Sequence, residues 1–177
     1  MAHIPAFSVV GFSGTGKTTL LVKLIAELKG RGLRVAVVKH DAHEFSIDHE
    51  GKDSWRFTNA GAEVTALVSP ARMAFMENRA VPLDKALDKI TDVDIILTEG
   101  YKCGDLPKIA VRRGAAGKPL PLPADECFAI VTDIPEDTDT PCFGLDDVSG
   151  IADLITSVYN EAEISPASSG AKRWVHF

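Results

Sequence analysis

Long apolar runs are missing from this sequence. Nowhere do hydrophobic residues approach the roughly 20 in succession that a membrane-spanning helix needs. The opening residues, "MAHIPAFSVVGFSG", lack the basic segment, apolar core and cleavage site of a secretory signal. Cysteine is scarce and odd in number: Cys103, Cys127 and Cys142, with no C-x-x-C spacing. That excludes a disulfide framework and predicts reduced thiols. Positive charge is not gathered anywhere either. The net charge is −6, and no basic stripe or polybasic run interrupts it. Neither a nucleic acid nor a membrane surface is therefore expected as a partner. Internal repeats and long linkers are also lacking, and 177 residues suit one domain with a proper core. The expectation is a soluble, cytoplasmic protein with one domain over residues 1–163. A small-residue tail without periodicity follows at 164–177.

What the chain does have is alternation. Strand-length apolar runs take turns with segments of helical period, the pattern of an α/β fold with a mostly parallel sheet. "AFSVVG" at 6–11 predicts a first buried strand. The helix after it, beginning near Lys17, carries Leu20, Leu21, Leu24, Ile25 and Leu28 on one stripe, with Gly30 and Gly32 as stop signals. A second buried strand is predicted at 34–40, a polar loop at 41–54, and a short helix from Trp55 to about Gly61. Two shorter strands at 63–69 and 72–78 flank the turn at Ser69-Pro70. Pro82 suits the first turn of a helix through "PLDKALDKI". Further strands are predicted at 93–100, 108–113 and 127–133. A final amphipathic helix runs from about Asp147 to Glu161, with Ile151, Leu154, Ile155 and Val158 on one face.

The most specific motif is "GFSGTGKTTL". Gly11, Gly14, Gly16, Lys17 and Thr18 satisfy G-x-x-x-x-G-K-[ST], and the strand before and helix after supply the required context. Such glycines let the backbone curl until successive N–H groups point inward at phosphate oxygens. The helix starting at Lys17 adds the positive end of its dipole. Gly11, Ser13, Gly14, Thr15, Gly16, Lys17, Thr18 and Thr19 are thus candidate contacts to a nucleoside triphosphate. Lys17 serves the β- and γ-phosphates, and the Thr18 hydroxyl serves Mg²⁺.

Such a site also needs an acid at the end of a neighbouring strand to hold the magnesium shell. In "VDIILTEG" that acid is Glu99. Asp94 starts the same strand, at the far edge of the sheet from the loop, and reads as a solvated strand-end residue. Asp41, just past the second strand, is a candidate to hold a magnesium-bound water or to orient an attacking one. His40 and His43, with Asp41 and Glu44, also resemble a transition-metal site. Asp53 and Ser54 are candidate caps of the following helix. For the base, the N-K-x-D tetrapeptide is absent. Asp133, ending "AIVTD", either reads the base or opens the "DIPED" turn.

Taken together, these residues resemble the molybdopterin-guanine dinucleotide biosynthesis protein B (MobB) family. The likeness runs from "GFSGTGKTTLLVKLI" through "VVKHDAHEFSIDHEGKDSWRFTNAGA" and "DIILTEGYK" to "KIAVRR" and "AIVTD". Its most specific part is the order Lys39-His40, Asp48, Gly51-Lys52-Asp53-Ser54 and Ala60-Gly61-Ala62. The resemblance implies a P-loop NTPase fold of three α/β/α layers, binding of GTP with Mg²⁺, weak GTPase activity and a homodimer. It also implies work on molybdopterin or the molybdenum cofactor beside the guanylyltransferase MobA. Arg112 and Arg113, at a strand end, would then either meet an anionic pterin phosphate or form a solvated strand end. Weak activity has a possible cause in the sequence, which shows no evident arginine finger and no Gln placed to aim water. Two further readings of the residues are a small-molecule kinase and a nickel-delivery GTPase.

Overall fold

The computed structural model describes residues 4–41 and 47–164. Its contacts divide the chain into two units, residues 1–40 with 90–177, and residues 41–89. His43 and Glu44, and residues 165–177 of the expected tail, lie outside the described residues.

The larger unit is built on six strands: β1 (Ala6–Val10), β2 (Val35–Lys39), β5 (Ile95–Glu99), β6 (Lys108–Arg112), β7 (Ala129–Thr132) and β8 (Cys142–Phe143). They form one sheet in the order β2-β5-β1-β6-β7-β8. Every pairing is parallel, with Val9 opposite both Glu99 and Ile109. Parallel neighbours need crossover connections, which is why strand-period and helix-period segments alternate in the sequence. The crossover after β1 is helix α1 (Lys17–Gly30), and the chain returns to the same face in α4 (Val148–Ile164). Leu20, Leu21, Leu24 and Leu28 of α1 pack with Ile151, Ala152, Ile155 and Val158 of α4 over Phe7, Val9, Ile95, Leu97, Ile109 and Val111. On the other face, Val10, Ala110 and Ile130 pack beneath the 114–126 segment through Leu120, Leu122 and Ala124. That face also buries a hydroxyl pair, Ser8 with Thr98 at 2.8 Å, so neither polar group is orphaned.

Helix α1 stops as the glycines predict. Gly32 takes φ +86°, its N–H donates to Lys29 O, and Leu33 N–H donates to Leu28 O. This is a Schellman closure, and it needs the left-handed residue that glycine supplies without a Cβ clash. The three cysteines are free thiols, and burial pushes the Cys127 thiol up to about 11, which keeps it protonated and inert.

Several expectations need correction. The second strand is not buried: β2 is an edge strand, half-exposed along its length, with Val37 45% accessible. A continuous β-branched run cannot by itself tell an edge from a centre. Asp94 is not solvated. It accepts from the Arg34 backbone N–H, Nε and Nη2 at 2.6, 3.1 and 2.7 Å. These hydrogen bonds hold its carboxyl below the usual carboxylate range. Helix α4 extends to Ile164, one residue into the expected tail. The two-residue strand β8 and the 3₁₀ turns at Gly114–Ala116 and Ala124–Glu126 were too short to leave a period.

The smaller unit holds α2 (Asp53–Asn59), the hairpin strands β3 (Val64–Ser69) and β4 (Arg72–Glu77), and α3 (Leu83–Asp88). Helix α2 starts two residues earlier than expected, and Lys52 occupies the cap position. Asp53 and Ser54 are inside the helix and do not cap it. Pro82 likewise caps α3 from outside, not from its first turn. The hairpin turns at Pro70-Ala71, where the Ser69 hydroxyl accepts from Arg72 N–H at 3.1 Å. Glu77 closes its far end by pairing with Arg79 and Lys89, and Lys89 also lies over the Phe75 ring.

Candidate phosphate-binding site

The loop between β1 and α1 sits at the carboxyl end of the sheet, where open α/β sheets gather their ligands. Its shape is dictated by its glycines. Gly14 and Gly16 take φ +79° and +98°, a region that costs residues with a Cβ. Gly11 is required for a different reason. A Cβ there would stand 2.7 Å from both Thr15 Oγ1 and the Val111 carbonyl oxygen. The loop is thus pressed against β6 and closed on itself. The buried Thr15 hydroxyl donates to Phe12 O at 2.9 Å, and Lys17 Nζ donates to the same carbonyl at 2.9 Å. Gly16 is the cap of α1, and its carbonyl accepts from Leu20 N–H at 2.9 Å. The first N–H groups of that helix have no partner inside it, so they face whatever the loop holds. Ser13, Thr18 and Thr19 are exposed around the same turn.

Glu99 meets this loop from the next strand. The Thr18 hydroxyl donates to both of its carboxylate oxygens, at 2.9 and 3.0 Å. The strand end that carries Glu99 is clamped on two sides: His40 N–H donates to Glu99 O at 2.9 Å, and Gly100 N–H donates to Val9 O at 3.0 Å. Immediately afterwards the chain turns sharply through two left-handed residues, Gly100 at φ +94° and Tyr101 at φ +56°. The Tyr101 ring packs on His40 with centroids 4.5 Å apart, and burial raises its phenol above the usual range. A hydroxyl and a carboxylate in contact beside a phosphate loop are hard oxygen donors of the kind Mg²⁺ takes. These two residues therefore fit the metal that the motif implies.

Asp41 is exposed and begins the smaller unit. Asp133 follows β7, and its Oδ1 accepts from Gly114 N–H at 2.7 Å. Arg112 is not a solvated strand end. Its guanidinium is bound to Glu136, with only 27% of the side chain accessible. Among the described residues, no group of three or more His, Cys, Asp or Glu is set to hold a metal ion. The same residues include no helix long and apolar enough to cross a membrane.

Two residues that the sequence reading passed over lie beside the loop. Lys23, one and a half turns into α1, pairs with Asp146 at 2.7 Å. With Thr15, Gly16, Thr19 and Arg113 they border a cavity of about 100 Å³. The sequence signal was the doubled acid in "LDDVSG", of which a helix start needs only one.

Known proteins match this chain along most of its length. The family profile described as "Molybdopterin guanine dinucleotide synthesis protein B" matches residues 6–133. The molybdopterin-guanine dinucleotide biosynthesis adapter protein of Haemophilus influenzae is 40% identical over 158 residues, covering 86% of this chain and 88% of that one. Its namesake in Escherichia coli is 37% identical over 162 residues, covering 86% and 91%. Among solved structures, Bacillus subtilis MobB superposes with a TM-score of 0.72 at 28% identity, over 87% of this chain and 97% of that one. The six-stranded parallel sheet with its P-loop and the matched span agree, and the chain belongs to the molybdopterin guanine dinucleotide synthesis protein B (MobB) family.

Proposed function

We propose that the chain is a GTP-binding adapter in molybdopterin-guanine dinucleotide formation. It binds GTP with Mg²⁺ at the P-loop, hydrolyses it slowly, and serves the MobA guanylyltransferase that acts on molybdopterin. The observation that carries this reading is the Thr18–Glu99 contact beside a closed phosphate loop. Those two hard oxygen donors would hold the Mg²⁺ that accompanies the β- and γ-phosphates. Adapter function is the named role of the relatives from H. influenzae and E. coli.

Slow turnover has physical support. The chain contains no glutamine, the residue that often orients an attacking water. Arg112, at the carboxyl end of β6, is engaged by Glu136. With γ-labelled GTP, the label is expected to leave as inorganic phosphate, far below the roughly 1–100 s⁻¹ of kinases. Label passed to a small acceptor at such rates would make the protein a kinase instead.

A homodimer is supported by the hairpin. The register places Val64, Ala66 and Val68 on one face with Met73 and Phe75, and Val68 and Met73 are 77% and 67% accessible. Contiguous apolar surface of this kind marks an association site. Val68→Asp with Phe75→Glu is expected to turn a dimer into a monomer in sedimentation equilibrium. A variant that stays dimeric would move the interface elsewhere.

A further inference from the structure

The cavity beside the P-loop has the composition of a site for a flat ring with a polar edge. Leu20, Val111, Val131 and Leu145 give it apolar walls, while Thr19, Lys23, Arg113 and Asp146 stand at its polar side. It shares Thr15 and Gly16 with the phosphate loop, so one molecule can occupy both. It measures about 100 Å³, so it can admit one end of a nucleotide and not the whole of it. We infer that this cavity takes the base of the bound nucleotide, and that Asp146 is the carboxylate that reads it as guanine. The inference rests on the P-loop nucleotide reading above and deepens it.

Three nearby carboxylates already have work to do. Asp133 accepts from Gly114 N–H, Glu136 binds Arg112, and Asp147 accepts from Gly150 N–H at the start of α4. Asp146 is different. Its neighbour performs the capping, and its own side chain is turned to Lys23, an ion pair with 45% and 89% of the two side chains accessible. Pairs so exposed are weak, so exchange of Lys23 for a ligand costs little. The hydrogen bond from Lys23, helped by the charges of Lys23 and Arg113, holds the Asp146 carboxyl below its usual range. It is therefore an acceptor at every physiological pH. Guanine offers two adjacent donors, N1–H and the N2 amine, which a carboxylate accepts together. Adenine offers an acceptor at N1 and would face the carboxylate with repulsion.

The chemistry allows a test by inversion. An asparagine amide has one acceptor and one donor end. Xanthine offers the matching pair, N1–H as donor and the C2 carbonyl as acceptor. Wild type and Asp146→Asn should be titrated with GTP, XTP and inorganic tripolyphosphate in Mg²⁺, with melting curves as a fold control. The expected result is GTP binding weakened at least ~10-fold in Asp146→Asn. XTP binding should improve until the preference inverts, and tripolyphosphate should be unchanged. An unaltered GTP to XTP ratio would overturn the assignment of Asp146 while leaving the P-loop reading intact. If wild type binds neither GTP nor tripolyphosphate, the P-loop reading fails and this inference falls with it.

Discussion

Lys17→Ala is expected to weaken binding of GTP with Mg²⁺ by about 100-fold or more, with little loss of stability. The ammonium now donates to Phe12 O from the rim of the loop, 2.9 Å away. That bond is partly exposed and easily exchanged, whereas bonds from Lys17 to two phosphate oxygens would be charge-assisted. Such bonds contribute about 1.5–3 kcal/mol each, and about 1.4 kcal/mol corresponds to a factor of ten. The loop itself does not depend on Lys17. Its curl is set by the left-handed Gly14 and Gly16, the tight approach of Gly11 to Val111, and the Thr15 bond to Phe12 O. A melting temperature close to wild type, together with lost affinity, is the combined signature. Affinity that survives the substitution would place the phosphates elsewhere.

Glu99→Gln is expected to separate nucleotide binding from magnesium. The amide oxygen of Gln can still accept the Thr18 hydroxyl, so the local contact is kept while the charge is removed. Losing such a partner costs roughly 10–100-fold in metal affinity. Titration of Mg²⁺ into the GTP complex should therefore shift by that amount, with GTP affinity in EDTA nearly unchanged. Thr18→Ala should shift it similarly and Thr18→Ser should restore it, because only the hydroxyl matters. If Glu99→Gln leaves the Mg²⁺ dependence untouched, the carboxylate merely anchors Thr18.

How far the site was legible in the sequence follows from what each feature depends on. The P-loop depends on local geometry: glycines, a lysine and a hydroxyl at fixed offsets, which a linear pattern records. The contact of Glu99 with the loop could be foreseen because a charge ending an apolar strand is costly without a partner. The parallel sheet and the stripe of α1 were readable for the same reason, as periodicity reports burial directly. What failed depends on partners distant in sequence. Asp94 looked solvated because Arg34 lies 60 residues away. The edge position of β2 depends on which strands pair, and its own residues do not encode that. The Lys23–Asp146 pair spans 123 residues, and a doubled acid near a helix start hides the member that is not a cap. Tyr101 gave no signal at all, since its left-handed backbone is imposed by the turn that follows Glu99.

The proposed function stands or falls with guanosine triphosphate and magnesium in this P-loop. Calorimetric titration of the wild-type protein with GTP, and separately with ATP, in Mg²⁺ tests it most directly. Saturable binding of GTP at one site per chain, with ATP weaker by at least ~10-fold and GTP affinity falling when Mg²⁺ is chelated, is the predicted result. Equal affinity for the two nucleotides, or no saturable binding of either, would contradict it.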